Sequence, residues 1–110
     1  MSFRPVVILL AVFLLCARSL AAQDTTNAPE QFKQKCILCH GADGRAHTAL
    51  GRFVGAFDLT SEKVQSQSDA QLRDVITHGK GKMAAYGSVL GPKGVNAMVK
   101  YVRTFGKKKK

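Results

Sequence analysis

The feature that most constrains this chain is a pair of cysteines, Cys36 and Cys39, separated by two residues and followed directly by His40. The third cysteine of the 110-residue chain, Cys16, falls in an N-terminal apolar stretch that is typical of a removable targeting segment. The remaining domain has no tryptophan and is too small to build a large core. Domains of this size usually need a disulfide, a metal or a cofactor for stability, so we expect Cys36 and Cys39 to provide one.

Residues 1–22 have the pattern of a secretory signal peptide. Arg4 precedes an apolar run over residues 6–15, and small residues follow at Ala21 and Ala22, where we expect cleavage. The run is about half as long as a membrane-spanning helix needs to be. The sequence therefore predicts export to the periplasm or an equivalent compartment, with no transmembrane anchor in the mature form. A retained membrane anchor or a buried core helix is the alternative interpretation of this segment.

We predict that a single domain over residues 23–106 follows the signal peptide and that residues 107–110 form a basic disordered tail. The chain carries a formal net charge of +10, and the tail contributes four lysines. Four lysines without interleaved aromatic residues bind phosphate weakly, so nucleic acid is not predicted as a partner. Weak contact with an anionic membrane surface is the most that the tail predicts.

The hydrophobic periodicity predicts three helices and no strands, which is an all-α fold. They are expected over residues 27–39, 68–79 and 92–106. Ser68 and Gln71 have the spacing of a capping box, and Pro92 is a residue typical of a first helical turn. Gly79 and Gly106 are expected to end their helices.

Residues 41–67 are predicted to be a long loop that wraps an apolar object. The segment has four glycines interleaved with apolar side chains, among them Leu50, Phe53 and Phe57. A short helical turn is expected over residues 61–65.

The order of Cys36, Cys39 and His40 has a specific chemical use. Two thiols three residues apart on a helix project to one side, where both can add to the vinyl groups along one edge of a haem. His40 can then ligate the iron through one neutral ring nitrogen while the other nitrogen donates to a backbone acceptor. The sequence therefore predicts one haem c, attached covalently at both cysteines and ligated by His40.

A cysteine pair with this spacing has three alternative uses. A redox dithiol of the thioredoxin type would accompany a βαβ pattern, which the sequence lacks. A zinc site would need a fourth ligand, for which His47 and His78 are the candidates. A disulfide across two residues would close too short a loop to stabilise the domain much.

The second axial ligand of the iron has several candidates. Met98 lies in the apolar stripe of the last predicted helix, where methionine usually fills core space. His47 lies in the loop close to the cysteines, and His78 lies at a helix end. Met83 is the preferred ligand, because its glycine-rich loop over residues 79–87 can bring a thioether to the far side of the ring. An open sixth position is the remaining alternative.

These motifs resemble those of the mono-haem class I c-type cytochromes. The resemblance covers nearly all of the mature chain and rests on residues 36–40, on the loop around Met83 and on residues 98–103. It implies the cytochrome c fold, with three main helices and long loops wrapped around one haem. It further implies that Phe32 packs against Tyr101 where the first and last helices cross.

The resemblance implies a single-electron carrier that moves electrons between respiratory or periplasmic redox partners. Ligation by His40 and Met83 leaves the iron no vacant position and favours a positive reduction potential. In such proteins lysines surround the haem edge, which maps onto Lys80, Lys82 and Lys93 and implies partners with acidic docking surfaces. Two other functions are the alternatives: a peroxidase-like or gas-binding haem protein with a labile sixth ligand, and a haem subunit of a dehydrogenase or oxidase complex.

The chain departs from the family pattern at two positions. Family members commonly have a proline after the haem motif whose carbonyl accepts a hydrogen bond from the axial histidine, yet residues 30–91 contain no proline. We expect a carbonyl within residues 50–57 to accept the bond from His40 instead. Family members also often have a proline after the ligand methionine, where this chain has Ala84. Ala84 should make the loop around Met83 less stiff.

Overall fold

The computed structural model describes residues 24–107, which form six helices. In chain order they are α1 (Ala28–Lys35), α2 (Ile37–His40), α3 (Ala49–Val54), α4 (Glu62–Gln65), α5 (Asp69–His78) and α6 (Gly87–Gly106). Residues 24–107 contain no β-strand, and one isolated bridge joins Lys80 to Met83. The all-α prediction is confirmed. The predicted signal peptide and all of the predicted tail except Lys107 lie outside the described residues.

The second predicted helix, α5, begins and ends where the sequence indicates. The Ser68 hydroxyl accepts a hydrogen bond from the Gln71 N–H at 3.1 Å, and the Gln71 side-chain oxygen accepts one from the Ser68 N–H at 2.8 Å. This reciprocal pair is the predicted capping box. Gly79 ends the helix at a φ of 79°.

The first predicted helix is divided at Cys36 into α1 and α2, and it continues one residue further, to His40. Cys36 has a φ of −113°, outside the usual helical range. Its N–H still donates to the Phe32 carbonyl at 2.8 Å, and its own carbonyl accepts from the His40 N–H at 2.9 Å. Hydrogen bonding therefore continues across the break, so Cys36 and His40 keep a fixed relation.

The segment over residues 41–67 is more regular than predicted. The short turn expected over residues 61–65 is present as α4, but the prediction of an otherwise irregular loop was wrong because α3 lies within it. Thr48 caps α3 by accepting from the Gly51 N–H at 2.8 Å, and Gly55 ends it at a φ of 69°. These are ordinary start and stop residues for a helix.

The last helix, α6, begins at Gly87, five residues before the predicted start. It is broken at Gly91, which has a φ of 68° and a ψ of 169°, a conformation that glycine adopts far more readily than other residues. Pro92 follows the break and starts the longer second part, so the proline does mark a helix start. No helix within residues 24–107 is both long enough and apolar enough to cross a bilayer.

Three aromatic rings join α1 to α6. The ring centroids of Phe32 and Tyr101 lie 5.3 Å apart in an edge-on arrangement, which confirms the predicted contact. Phe105 lies 5.2 Å from both rings and is fully buried. Gly44 packs on Phe105 so closely that a Cβ atom would stand 2.8 Å from the ring. This contact holds the loop that follows His40 against α6.

Arg103 connects α6 to the segment between α4 and α5. Its guanidinium donates to the Gln65 carbonyl at 2.8 Å, to the Gln67 carbonyl, and to Asp69 at 2.9 and 3.0 Å. Gln65 adds a second connection, because its amide donates to the Val102 carbonyl at 3.0 Å. Together these bonds fix the position of Gln67, which lies at the pocket described next.

Candidate haem site

A largely apolar pocket lies between the helices. The space inside it, together with the solvent at its mouth, measures about 730 Å³. The walls formed by α5 and α6 are entirely apolar: Leu72, Val75, Ile76, Leu90, Met98 and Val102. The pocket therefore suits a large apolar group.

The two cysteines of the sequence motif lie at α2 and the end of α1. Cys36 lines the pocket, and Cys39 is half-buried one helical turn further on, outside the lining. Neither is in a disulfide. Burial raises the pKa of the Cys36 thiol to about 11, while Lys35 acts in the opposite direction. A redox dithiol has a lowered thiol pKa, so this environment does not favour that alternative.

His40 also lines the pocket, and its orientation is fixed by one hydrogen bond. Its Nδ1 lies 3.0 Å from the backbone carbonyl oxygen of Phe57. Because a carbonyl can only accept, Nδ1 carries the proton and donates, which leaves the Nε2 lone pair free. Burial lowers the pKa of His40, although the bond to Phe57 acts in the opposite direction. The imidazole is therefore held in the neutral form that binds metals.

The carbonyl of Phe57 lies within the range of residues 50–57 in which the sequence predicted an acceptor. That expectation is confirmed. The particular residue could not be named from sequence, because every residue carries the same backbone carbonyl and only the path of the loop selects one.

Met83 enters the pocket from a tight turn. The Met83 N–H donates to the Lys80 carbonyl at 2.9 Å, and the Lys80 N–H donates to the Met83 carbonyl at 3.2 Å. Gly79 packs closely beneath this turn, since a Cβ atom there would lie 2.5 Å from the Met83 carbonyl oxygen. The turn thus places a thioether in the pocket that also contains the His40 imidazole.

The other candidates for the second ligand lie in different surroundings. Met98 lines the pocket but is only 2 % exposed and belongs to the core of α6. The side chain of His78 is 71 % exposed, and its Nδ1 lies 3.0 Å from Asp74. His47 is exposed and outside the lining. Within residues 24–107 no three His, Cys, Asp or Glu side chains are grouped to hold a metal ion, as a zinc site would require.

Sequence reasoning did not identify three other polar side chains at the site. Tyr86 lines the pocket and donates from its hydroxyl to the Lys35 carbonyl at 3.3 Å. Burial raises the pKa of Tyr86, and the two cysteines add to this effect. Gln67 also lines the pocket, and Lys63 lies over the ring of Phe57. Their roles depend on loop packing, which no local motif indicates.

These residues fit a haem. Cys36 is an unpaired thiol beside the pocket, His40 presents a free nitrogen lone pair, and Met83 presents a thioether. The surrounding walls are apolar, as the faces of a porphyrin require. An all-α fold with a C-x-x-C-H motif at such a pocket defines the class of c-type cytochromes.

Comparison with known proteins gives the same class. The family model described as "Cytochrome C oxidase, cbb3-type, subunit III" matches residues 23–102, and the chain belongs to this family. A solved structure named "KustC0563 c-type cytochrome" is similar to the chain with a TM-score of 0.66 and 32% sequence identity. The similarity covers 71% of this chain and 95% of that one. No curated protein matches the chain.

Family membership assigns the chain to the small mono-haem c-type cytochromes. It implies haem c with its iron as the cofactor and electron transfer as the general role.

Proposed function

We propose that the protein is a single-electron carrier with one haem c, attached through Cys36 and Cys39 and ligated by His40 and Met83. The observation that carries the proposal is that His40 and Met83 line the same apolar pocket, while Nδ1 of His40 is committed to Phe57. The nitrogen left for iron is then Nε2, and the second ligand is a thioether.

A haem held by His40 and Met83 would supply a one-electron couple, with a reduced donor protein as the source of the electron and an oxidised acceptor protein as its destination. His40 holds its proton on Nδ1 throughout, so no proton need accompany the electron at this ligand. Met83 would provide the second ligand through its thioether. The apolar walls exclude water and disfavour the extra charge of the ferric state, so we expect a positive potential.

The alternative of a haem enzyme gains no support from the described residues. Peroxide chemistry uses a distal acid and base. The described lining contains no carboxylate and no histidine besides His40, and both His47 and His78 lie outside it. We therefore propose electron transfer rather than catalysis. The alternatives of a free carrier and a bound subunit are distinguished by size-exclusion chromatography of the native extract.

The ferric protein provides the test of the ligands. Wild-type protein, expressed with cytochrome maturation, should show the weak near-infrared band of sulfur-ligated low-spin haem. Met83→Ala should lose the band and gain high-spin features, because Met98, the other methionine within residues 24–107, is packed in the core and is not free to replace it. Met98→Leu is the matched control and should keep the band, since Met98 packs in the core. Persistence of the band in Met83→Ala would contradict the proposed ligand, and colourless protein with both thiols free would contradict the attachment.

We further propose that residues 1–22 are removed on export and that residues 23–106 are the functional domain in the periplasm. Mass spectrometry of the mature protein checks the first point. The expected N-terminus follows Ala21 or Ala22. An N-terminus at Met1 would contradict cleavage.

We propose acidic partner proteins for the surface next to Met83. Lys80 and Lys82 flank Met83, and Lys82 lies 5.3 Å from the ring of Phe53, which is 77 % exposed. An exposed apolar ring beside cations suits a small, short-lived interface. Lys93 is exposed but does not line the pocket. Electron-transfer rates with an acidic partner should fall as salt increases, and a flat dependence would contradict electrostatic steering.

A further inference from the structure

Two lysine side chains from separate segments converge on one aromatic ring at the edge of the pocket. Nζ of Lys63, on α4, lies 4.5 Å from the centroid of the Phe57 ring, and Nζ of Lys80, in the turn before Met83, lies 5.9 Å from it. The two ammonium groups are therefore at most about 10 Å apart, which is about one Debye length at 0.1 M salt. Phe57 and Lys80 both line the pocket.

Neither lysine has a carboxylate partner in the described part of the chain. The ion pairs within residues 24–107 join His78 to Asp74 and Arg103 to Asp69. The carboxylate next to Phe57 in sequence, Asp58, accepts from the Thr60 N–H and hydroxyl instead. Contact with a ring does not neutralise an ammonium group, so the field of the two charges favours an anion at this edge.

Gln67 lies at the same edge. Its side-chain nitrogen donates to the Lys63 carbonyl at 3.3 Å, and Gln67 also lines the pocket. The proposed attachment and ligation use Cys36 and His40, and the hydroxyl of Tyr86 is bonded to the Lys35 carbonyl. The polar lining residues that remain are Gln67 and Lys80. All the lining residues of α5 and α6 are apolar. Both Gln67 and Lys80 are connected to Lys63: Gln67 through its hydrogen bond to the Lys63 carbonyl, and Lys80 through the Phe57 ring that the two lysines share.

We propose that Lys63, Lys80 and Gln67 form the carboxylate-binding edge of the pocket and bind the two propionate groups of the haem. A haem is an apolar disc with two carboxylates on one edge, and a carboxylate placed against an apolar wall without donors is strongly disfavoured. The lysines and the Gln67 amide supply those donors. This inference rests on the proposed function, in which the pocket binds a haem. It assigns residues to the propionate edge of the haem, whereas His40 and Met83 are the proposed ligands of the iron.

The assignment has two consequences for the redox couple. The ammonium groups favour the ionised propionates, so they lower the propionate pKa. They also favour the ferrous state, which carries one positive charge less, and so raise the midpoint potential. The titratable groups that face this edge are Lys63 and Lys80; His40 and Tyr86 are the other titratable groups in the lining, since Cys36 is consumed by attachment.

The test uses holoprotein carrying Lys63→Gln, Lys80→Gln or both. The propionate bending band in the resonance Raman spectrum should shift in each variant. At a fixed applied potential and neutral pH, the ferrous-to-ferric ratio should fall about tenfold in the double variant, which is about 59 mV for a one-electron couple. The acid-side step in the plot of midpoint potential against pH should move to higher pH, because the propionates lose their cations.

Two controls separate this edge from general effects of charge. Lys63→Arg and Lys80→Arg should retain the wild-type band and acid-side step, because they keep the cation. Lys100→Gln removes the same charge from an exposed position of α6 outside the lining, and it should leave the band unchanged. An unchanged band and acid-side step in the double variant would overturn the assignment.

The test also separates this inference from its rivals. If the lysines bind only carboxylates of a partner protein, the double variant slows electron transfer to that partner while the band of the isolated protein stays unchanged, which overturns the proposal. The near-infrared band of the same samples reports on Met83 independently. A loss of axial methionine ligation and a failure of propionate binding therefore give different results.

Discussion

Gly51 lies so close to Cys39 that a Cβ atom on Gly51 would stand 2.1 Å from the Cys39 carbonyl oxygen. The same atom would stand 2.9 Å from both the Ala46 carbonyl oxygen and the Thr48 hydroxyl oxygen. α3 therefore packs directly on the backbone of the proposed attachment segment. The hydroxyl of Thr48 strengthens the contact by donating to the Leu38 carbonyl at 2.6 Å.

Gly51→Ala should destabilise the holoprotein by about 3 kcal/mol, at the upper end of overpacking effects, because two of the three crowded neighbours are backbone atoms that cannot rotate away. Helix propensity alone would predict a gain, since alanine favours a helix more than glycine does. Denaturant unfolding of the purified holoprotein measures the change.

Gly55→Ala is the control for that experiment. Gly55 ends α3 at a φ of 69° but has no atom within 4 Å of an added Cβ. The Gly55→Ala substitution should lower the free energy of unfolding only by the strain of an alanine in the left-handed conformation, about 1 kcal/mol. Equal losses for the two variants would contradict the close packing of α3 on Cys39.

Arg103→Lys should lower stability by about 2 kcal/mol although it preserves the charge. One ammonium group cannot donate to two carbonyls and a carboxylate in the way the planar guanidinium does. The free energy of unfolding at low and high salt should show nearly the same loss, because most of the bonds go to the Gln65 and Gln67 carbonyls.

The exposed carboxylate in this contact should matter less. Asp69 is 60% exposed at its side chain, so Asp69→Asn should cost less than about 1 kcal/mol, and the cost should decline as salt increases. If Asp69→Asn were as costly as Arg103→Lys, the ion pair rather than the carbonyl contacts would hold α6 to this segment.

Ala84→Pro should stiffen the turn that presents Met83. Among the described residues the Ala84 N–H donates no backbone hydrogen bond, so a proline at this position would remove none. A proline that fits stabilises by about 0.4–1 kcal/mol, which corresponds to a two- to fivefold change in an equilibrium constant. Imidazole added to the ferric protein should therefore displace the proposed methionine ligand about two to five times less readily. Easier displacement would show that the turn cannot accommodate the ring.

The loop after Phe57 should lose stability in acid through Asp58. Burial acts to raise the pKa of this carboxyl, but the hydrogen bonds from Thr60 and the charges of Arg45 and His47 outweigh it, so the pKa lies below its ordinary value of 3.8. A lowered pKa in the folded state gives stability that is present above 3.8 and is lost as the pH falls through the folded-state pKa. Unfolding measured between neutral pH and pH 3 should show this loss, and Asp58→Asn should reduce it. An identical pH profile in the variant would contradict the assignment.

Short motifs in the sequence were sufficient to predict several helices. The capping box of Ser68 and Gln71 defines the start of α5 by chemistry within four residues, and the short turn over residues 61–65 is equally local. The contact of Phe32 with Tyr101 is not local, and it was expected only from the family resemblance.

Other elements depend on packing between distant segments. Thr48 and Gly55 are residues that ordinarily begin and end a helix, yet Gly51 between them has a low helix propensity. Glycine is needed at position 51 because the Cys39 carbonyl oxygen leaves no room for a Cβ atom. The break of α6 at Gly91 and the position of Lys63 over Phe57 likewise have no signature within their own segments. Such features follow from the tertiary structure, so single-residue propensity cannot indicate them.

The partner of His40 at position 57 is a main-chain oxygen, which every amino acid carries. No point mutation at that position can delete it; a replacement can only displace it by bending the loop. Evolution is thus free to change the side chain there without losing control of the imidazole. In this chain the residue at that position is phenylalanine, and the ammonium groups of Lys63 and Lys80 both lie over its ring.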